Sequence, residues 1–281
     1  MSTTHYALYQ KCFPDYPLEY EDFCSMTGIG DTAVLLEERE GDRLVGFALL
    51  GKSNLSLLAV DREYRNRGIG SRILQRAEEY LREQGVKEIT LARGTNSIFQ
   101  GVPTDNEGRD VSGFFAKRGY AGSYVTYNME LNTATFDYDA LPFPKPEGVT
   151  YRLAAEEDRD ALLKAAAEVV PDWVELYRGC GDDVLLALCD GEIASFAMLN
   201  EEGGIFTKQA AKHGSIGCVG TVPKFRKRGI GLDLTARAVQ ILKERGSDQV
   251  QLLYLVLDKW YGKVGFAISS TQWMAEKTLA D

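Results

Sequence analysis

The sequence predicts two related domains of mixed helix and strand, in the α+β class, and three observations carry that prediction. The string Arg65-Asn66-Arg67-Gly68-Ile69-Gly70 recurs 161 residues further on as Arg226-Lys227-Arg228-Gly229-Ile230-Gly231. Each copy follows an apolar run, 55–60 and 216–222, and precedes an amphipathic segment that stops at a glycine, Gly85 and Gly246. A chain of 281 residues suits two domains of ordinary size. Finally, Pro142, Pro144 and Pro146 crowd a stretch that sustains neither helix nor central strand. The expected division is therefore a first domain over 1–141, a proline-rich linker over 142–148 and a second domain over 149–281.

Along the chain, 7–12 and 18–26 read as helical, and 55–60 reads as a strand entering the first loop. After Gly70, Ile73, Ala77, Tyr80 and Leu81 share one helical face. Residues 94–110 are rich in Gly, Pro, Asn and Asp and read as an enlarged loop. Beyond the linker, 149–153 is strand-like and 158–170 helix-like. Strands over 193–199 and 215–221 then lead to the second loop, and Leu234, Ala238, Ile241 and Leu242 repeat the helical face.

Each loop ends on a helix N-terminus, where unpaired N–H groups and the positive end of the macrodipole favour an anion. Glycine without Cβ lets a phosphate approach the main chain. Arg62, Arg65 and Arg67, and Lys224, Arg226, Lys227 and Arg228, concentrate positive charge in a chain of net charge −9. A phosphorylated ligand is expected at both loops. Neither a Walker A motif nor a Gly-x-Gly-x-x-Gly fingerprint is present.

The pattern Arg-x-x-Gly-x-Gly between strand and helix resembles the signature of the GNAT superfamily of N-acetyltransferases, and both copies match it. A second element supports the resemblance: Tyr261-Gly262-Lys263-Val264-Gly265-Phe266, with Phe115-Ala116-Lys117-Arg118-Gly119-Tyr120 in the first half. The likeness runs over 55–131 and from 149 onward, whereas the helical N-terminus departs from the family's first strand. It implies two GNAT-like domains, each a mixed, mostly antiparallel sheet flanked by helices, with acetyl-CoA as co-substrate. By position, the loops Arg65, Asn66, Arg67, Gly68, Ile69, Gly70 and Arg226, Lys227, Arg228, Gly229, Ile230, Gly231 would hold the pyrophosphate. The strand ends Leu58 to Val60 and Val219 to Thr221 would meet the pantetheine arm.

Acetyl transfer to an amine needs a base, a place for the developing oxyanion and an acid for the leaving thiolate. A thiol has a pKa of ~8.5 and a tyrosine ~10, so a tyrosine can serve as that acid. Tyr261 occupies the family's acid position, and Phe115 in the first half lacks the hydroxyl. Direct transfer in the second domain is thus expected, with a non-catalytic acyl-CoA-binding module as the alternative and longer acyl groups as a variant. Main-chain N–H groups near Val219 and Thr221 are the expected oxyanion donors. Glu201, Glu202 and His213 are candidate bases, and each also reads as a solvated turn residue. Residues 94–110 read as a lid or as a packing element, and Trp173, Tyr177, Trp260 and Trp273 as pocket lining or core.

Composition narrows the rest. Cys12, Cys24, Cys180, Cys189 and Cys218 have no Cys-x-x-Cys spacing, and with only two histidines no metal site is expected. Cys218 lies on the strand before the second loop, but no neighbouring histidine activates it, so it reads as packing. The acidic balance argues against nucleic acid and suits a small-molecule or peptide amine as partner. No apolar run reaches the ~20 residues of a membrane span, and 1–6 lack signal-peptide character, so a cytoplasmic protein without membrane partners is expected. Oligomeric state and the identity of the acceptor are left open by the sequence.

Overall fold

The structure is a computed structural model and describes residues 2–29, 33–104, 111–179, 183–203, 206 and 211–279. Cys180 and residues 105–110 of the enlarged loop lie outside the described residues. In chain order the elements are α1 (Ser2–Cys12), α2 (Tyr20–Thr27), β1 (Val34–Glu40), β2 (Arg43–Leu50), β3 (Asn54–Val60), α3 (Ile69–Glu83), β4 (Glu88–Leu91), β5 (Val102–Pro103), α4 (Ser112–Ala116) and β6 (Ala121–Asn132). They continue as β7 (Val149–Leu153), α5 (Arg159–Val169), α6 (Trp173–Gly179), β8 (Val184–Cys189), β9 (Glu192–Asn200), β10 (His213–Thr221), α7 (Ile230–Glu244), β11 (Gln249–Leu255), α8 (Asp258–Tyr261) and β12 (Ala267–Thr278). No helix among the described residues is long and apolar enough to cross a membrane.

The chain forms two compact units, one of residues 1–127 with 270–281 and the other of residues 128–269. The proline-rich stretch 142–148 lies inside the second unit, and most of the chain's last strand belongs to the first. Compact units and linear halves therefore do not coincide. Each half of the sequence sends its closing strand, β6 or β12, partly into the other half's unit. Side-chain alternation alone cannot show this, because a strand's pattern records which face is buried and not which neighbour it pairs with.

In the first unit the strand order is β1-β2-β3-β4-β12. β1, β2 and β3 are antiparallel, β3 and β4 run parallel, and β12 returns antiparallel to β4. β2 is buried along all but its first residue, as its unbroken apolar run requires. α3 lays Ile69, Ile73, Leu74, Ala77 and Leu81 on the sheet, and Tyr80 is only half-buried at the margin of that face. The N-terminal helices expected at 7–12 and 18–26 are present, and α2 ends on Gly28 in the left-handed region, φ 61°.

The second unit repeats the plan. β7, β8, β9 and β10 are antiparallel neighbours, and β11 runs parallel to β10. The last residues of β6 adjoin β11, where Gln251 Nε2 donates to Glu130 Oε1 at 2.8 Å. α7 is buried more completely than α3, and one of its buried residues is charged. Asp233, fully buried, accepts from the Tyr138 hydroxyl at 2.6 Å and from Arg237 Nε at 2.9 Å. Tyr151 faces the same carboxylate without a well-aligned hydrogen bond. Burial pushes the Asp233 pKa up, but the hydrogen bonds from Tyr138 and Arg237 outweigh it and hold the carboxyl below its ordinary value.

A group held below its ordinary pKa stabilises the fold above its unfolded pKa of ~3.9, and that stability is lost as pH falls through the folded value. Asp233→Asn is expected to lower the melting temperature of the second unit by roughly 5 °C at pH 7, for a loss of about 1–2 kcal/mol. The gap from the native protein should be full above about pH 5 and close on acidification toward pH 2. Calorimetric melts across that range check it, and a gap independent of pH would show that the carboxylate charge contributes nothing.

Candidate active site

Both loops have the same backbone. In each, the strand leads through a 3-10 turn, Arg62–Tyr64 or Pro223–Phe225, into an extended arginine at φ −66°. Asn66 and Lys227 follow in the left-handed region, at φ 61° and 65°. Gly68 and Gly229 then cap the helices at φ 78° and 79°, where no side chain satisfies the first turn. Arg65 Nε donates to the Val60 carbonyl and Arg226 Nε to the Thr221 carbonyl, both at 3.0 Å. The leading arginine of the motif thus ties the loop to the strand end and leaves the helix-start N–H groups without a side-chain cap.

In the first unit the strand edge beside this loop is open. β3 and β4 pair only at Asn54↔Thr90 and Leu55↔Leu91. The Ala92 N–H still reaches the Leu55 carbonyl at 2.8 Å, but Ala92 turns at φ 55° and the chains part. A cavity of about 580 Å³ fills the gap. Of the expected ligand residues, Leu58, Val60, Arg65, Asn66, Gly68, Ile69 and Gly70 all line it, while Arg67 does not and instead lies over the Tyr64 ring at 4.9 Å. The cavity has the size and mostly apolar lining of a small-molecule site.

Four further contributors to this cavity were not among the expected ligand residues, although Arg118 belongs to the family-like string 115–120. Cys12 and Phe13 come from the end of α1, and Phe114 and Arg118 from α4 and the turn after it. Arg118 donates to the Ser71 hydroxyl and the Phe114 carbonyl, both at 2.6 Å, and stacks on the Phe114 ring at 3.8 Å. It adds a fixed cation at the start of α3. Asp61 anchors the loop from beneath, pairing with Lys11 at 2.7 Å and Arg43 at 2.9 Å.

A family model described as the acetyltransferase (GNAT) family matches residues 3–98 and 149–266. The chain belongs to that family. A search of curated proteins finds no match. Among solved structures, a glucosamine N-acetyltransferase region of a fungal multi-domain GH3 β-N-acetylglucosaminidase is similar at TM-score 0.80 and 22% identity, over 98% of this chain and 36% of that one. This chain thus spans about a third of that protein. A GNAT protein of Sphaerobacter thermophilus has TM-score 0.73 and 18% identity, over 98% of this chain and 91% of that one. A tandem GNAT protein from the clavulanic acid biosynthesis pathway has TM-score 0.66 and 16% identity, over 99% and 96%. At these identities the likeness concerns the fold, here a tandem pair of GNAT domains.

The second GNAT unit arranges its site differently. Its β9–β10 register slips between Gly217 and Gly220, and Cys218 adopts φ 49° within that bulge, which re-aims the strand next to Val219. Two tyrosines converge there. Tyr177 donates its hydroxyl to the Cys218 carbonyl at 2.6 Å, while its ring meets Phe196 edge-on at 5.1 Å. Tyr261, also buried, has its pKa pushed up to about 12, first by burial and then by the neighbouring Cys218 thiol. Its ring is braced edge-on by Trp260 at 4.7 Å.

At its last glycine the second loop is more crowded than the first. A Cβ on Gly231 would lie 2.6 Å from Thr221 Oγ1, against 3.4 Å from Phe114 Cζ at Gly70. The Pro144 carbonyl of the proline-rich stretch lies beside Gly229.

The structure corrects the candidate bases and decides between the alternatives for the enlarged loop and the tryptophans. Glu201 is engaged with Lys212 at 3.7 Å and Arg245 at 3.0 Å. His213 opens β10 five residues before Cys218, roughly 17 Å away along the strand. Glu202 follows β9 at the same far end. None of the three candidate bases lies near the bulge. Over its described part the enlarged loop is a packing element: Ile98, Phe99 and Val102 are buried, and β5 pairs with β12 at Val102↔Trp273. Trp273 accordingly packs in the first unit's core, whereas Trp173 and Tyr177 pack in the second's.

Proposed function

We propose that this GNAT protein is an acetyl-CoA-dependent N-acetyltransferase that moves acetyl directly to a small-molecule or peptide amine. The observation that carries this reading is the first unit's cavity, which joins an uncapped helix start to an unpaired strand edge. The residues fit the co-substrate: the N–H groups after Gly68 and the Arg118 guanidinium suit a diphosphate, and the edge of β3 offers main-chain partners to an amide-bearing arm. Acetyl-CoA would supply the activated thioester.

Proton delivery favours the second unit for the transfer step. Tyr261 keeps its proton at neutral pH and stands at the bulge, where the Val219 to Thr221 main chain can hold developing negative charge. Phe115 occupies the corresponding place in the first unit and offers only its ring, edge-on to Phe114 at 5.1 Å. A second reading, favoured by the open cavity itself, has transfer in the first unit with the thiolate leaving unassisted. A screen of amine acceptors on the intact chain, read by thiol release, tests the function. Turnover with one acceptor class supports it. Tight coenzyme A binding without turnover on any amine would instead make the chain a binding module.

A further inference from the structure

The cavity of the first unit has two distinct ends. One is the start of α3, beside Val60. The other lies roughly 17 Å along β3, at Leu55, where the strand meets β4. The lining toward that end is largely apolar, with Leu55, Leu91, Ala92, Phe99, Val102 and Pro103 beside Ser56.

Phe99 comes from the segment that makes the first half longer than the second between loop and closing helix, so the second half has no counterpart. It is 1% exposed, with its ring 5.5 Å from Phe13 and 5.2 Å from Tyr16. A buried polar knot fixes the segment to this end of β3. Asn54 Nδ2 donates to the Thr95 carbonyl at 2.9 Å and lies 3.0 Å from Ser97 Oγ, while the Ser56 hydroxyl donates to the same carbonyl at 3.0 Å. On the far side the Gln100 N–H donates to Gln272 Oε1 at 3.2 Å and the Thr104 N–H to the Thr271 carbonyl at 2.9 Å. Tied at both ends, this wall cannot yield easily to a longer ligand.

We propose that Phe99 is the specificity-determining residue that closes the acyl end of the first unit's cavity and restricts the thioester to short acyl groups. The proposal rests on the reading of that cavity as an acyl-CoA site. With a diphosphate at the helix start and the arm along β3, the acyl group points at the Phe99 ring. Removing the ring opens apolar space continuous with Leu91 and Val102, where each added methylene gains about 0.8 kcal/mol, a factor of about four in affinity.

The test is calorimetric titration of the intact protein, Phe99→Ala, Phe99→Leu and Gly70→Asp with coenzyme A, acetyl-CoA, butyryl-CoA and hexanoyl-CoA. The relevant site is the one lost in Gly70→Asp. The native protein is expected to bind hexanoyl-CoA at least tenfold more weakly than acetyl-CoA there. Phe99→Ala should reverse the order, with butyryl-CoA roughly tenfold tighter than acetyl-CoA, and Phe99→Leu should lie between. Free coenzyme A should bind all three alike. Phe99→Leu keeps most of the buried volume and carries the test if the alanine variant unfolds. An unchanged chain-length order in a folded variant that still binds coenzyme A overturns the proposal alone. Coenzyme A binding by Gly70→Asp equal to the native protein's overturns the underlying assignment, and the proposal with it.

Discussion

Replacing Gly70 by aspartate is expected to weaken coenzyme A binding in the first unit by ~10²-fold or more while the unit stays folded. A Cβ there would meet Phe114 Cζ at 3.4 Å and Val60 Cγ2 at 3.6 Å, which is ordinary contact. The carboxylate, however, enters the space where a diphosphate would lie. Two like charges about 5 Å apart at an effective dielectric of about 20 repel by ~3 kcal/mol, the basis of the ~10²-fold figure. Titration calorimetry with parallel thermal melts checks the effect. A folded Gly70→Asp that binds coenzyme A like the native protein would remove the first loop from the site. Turnover separates the two readings of catalysis: it survives in this variant if transfer occurs in the second unit and falls with binding if it occurs in the first. Gly231→Asp is a poorer mirror experiment, since any side chain there collides with Thr221 Oγ1 at 2.6 Å. Arg228→Glu, at an exposed position of the second loop, changes the charge without that collision.

Tyr261→Phe is expected to lower kcat by ~10²-fold with coenzyme A affinity unchanged. General acid catalysis contributes ~10²–10⁴-fold, and the lower end applies here for a stated reason. Burial raises the Tyr261 pKa to about 12, so the hydroxyl is reliably protonated but donates uphill to a thiolate whose conjugate acid has a pKa of ~8.5. The ring stays wedged against Trp260 in the phenylalanine variant, so packing changes little. Single-turnover kinetics provide the check, because they isolate the chemical step. Unaltered single-turnover rates would exclude Tyr261 and shift attention to the first unit.

Much of the architecture could be read from residue order because it is local. The repeat of Gly68 and Gly229 reports two left-handed helix starts, which glycine adopts without the strain a Cβ brings. The apolar positions at Ile73 and Ala77, and at Leu234 and Ala238, report the buried faces of α3 and α7 through the helical period. The family resemblance followed from the same local strings.

What the tertiary structure decided is what depends on partners distant in sequence. Nothing in Asn128 or Met274 announces that β6 ends in the second unit or that most of β12 lies in the first, since strand pairing is chosen by global packing. The two loops, alike in sequence and backbone, differ in what surrounds them. Phe13, Phe99 and Phe114 leave a cavity beside one, while Tyr177, Trp260 and Thr221 crowd the strand end of the other. A loop motif fixes backbone torsions within a few residues. Whether the space beside it is open or filled is set by side chains that only folding brings there.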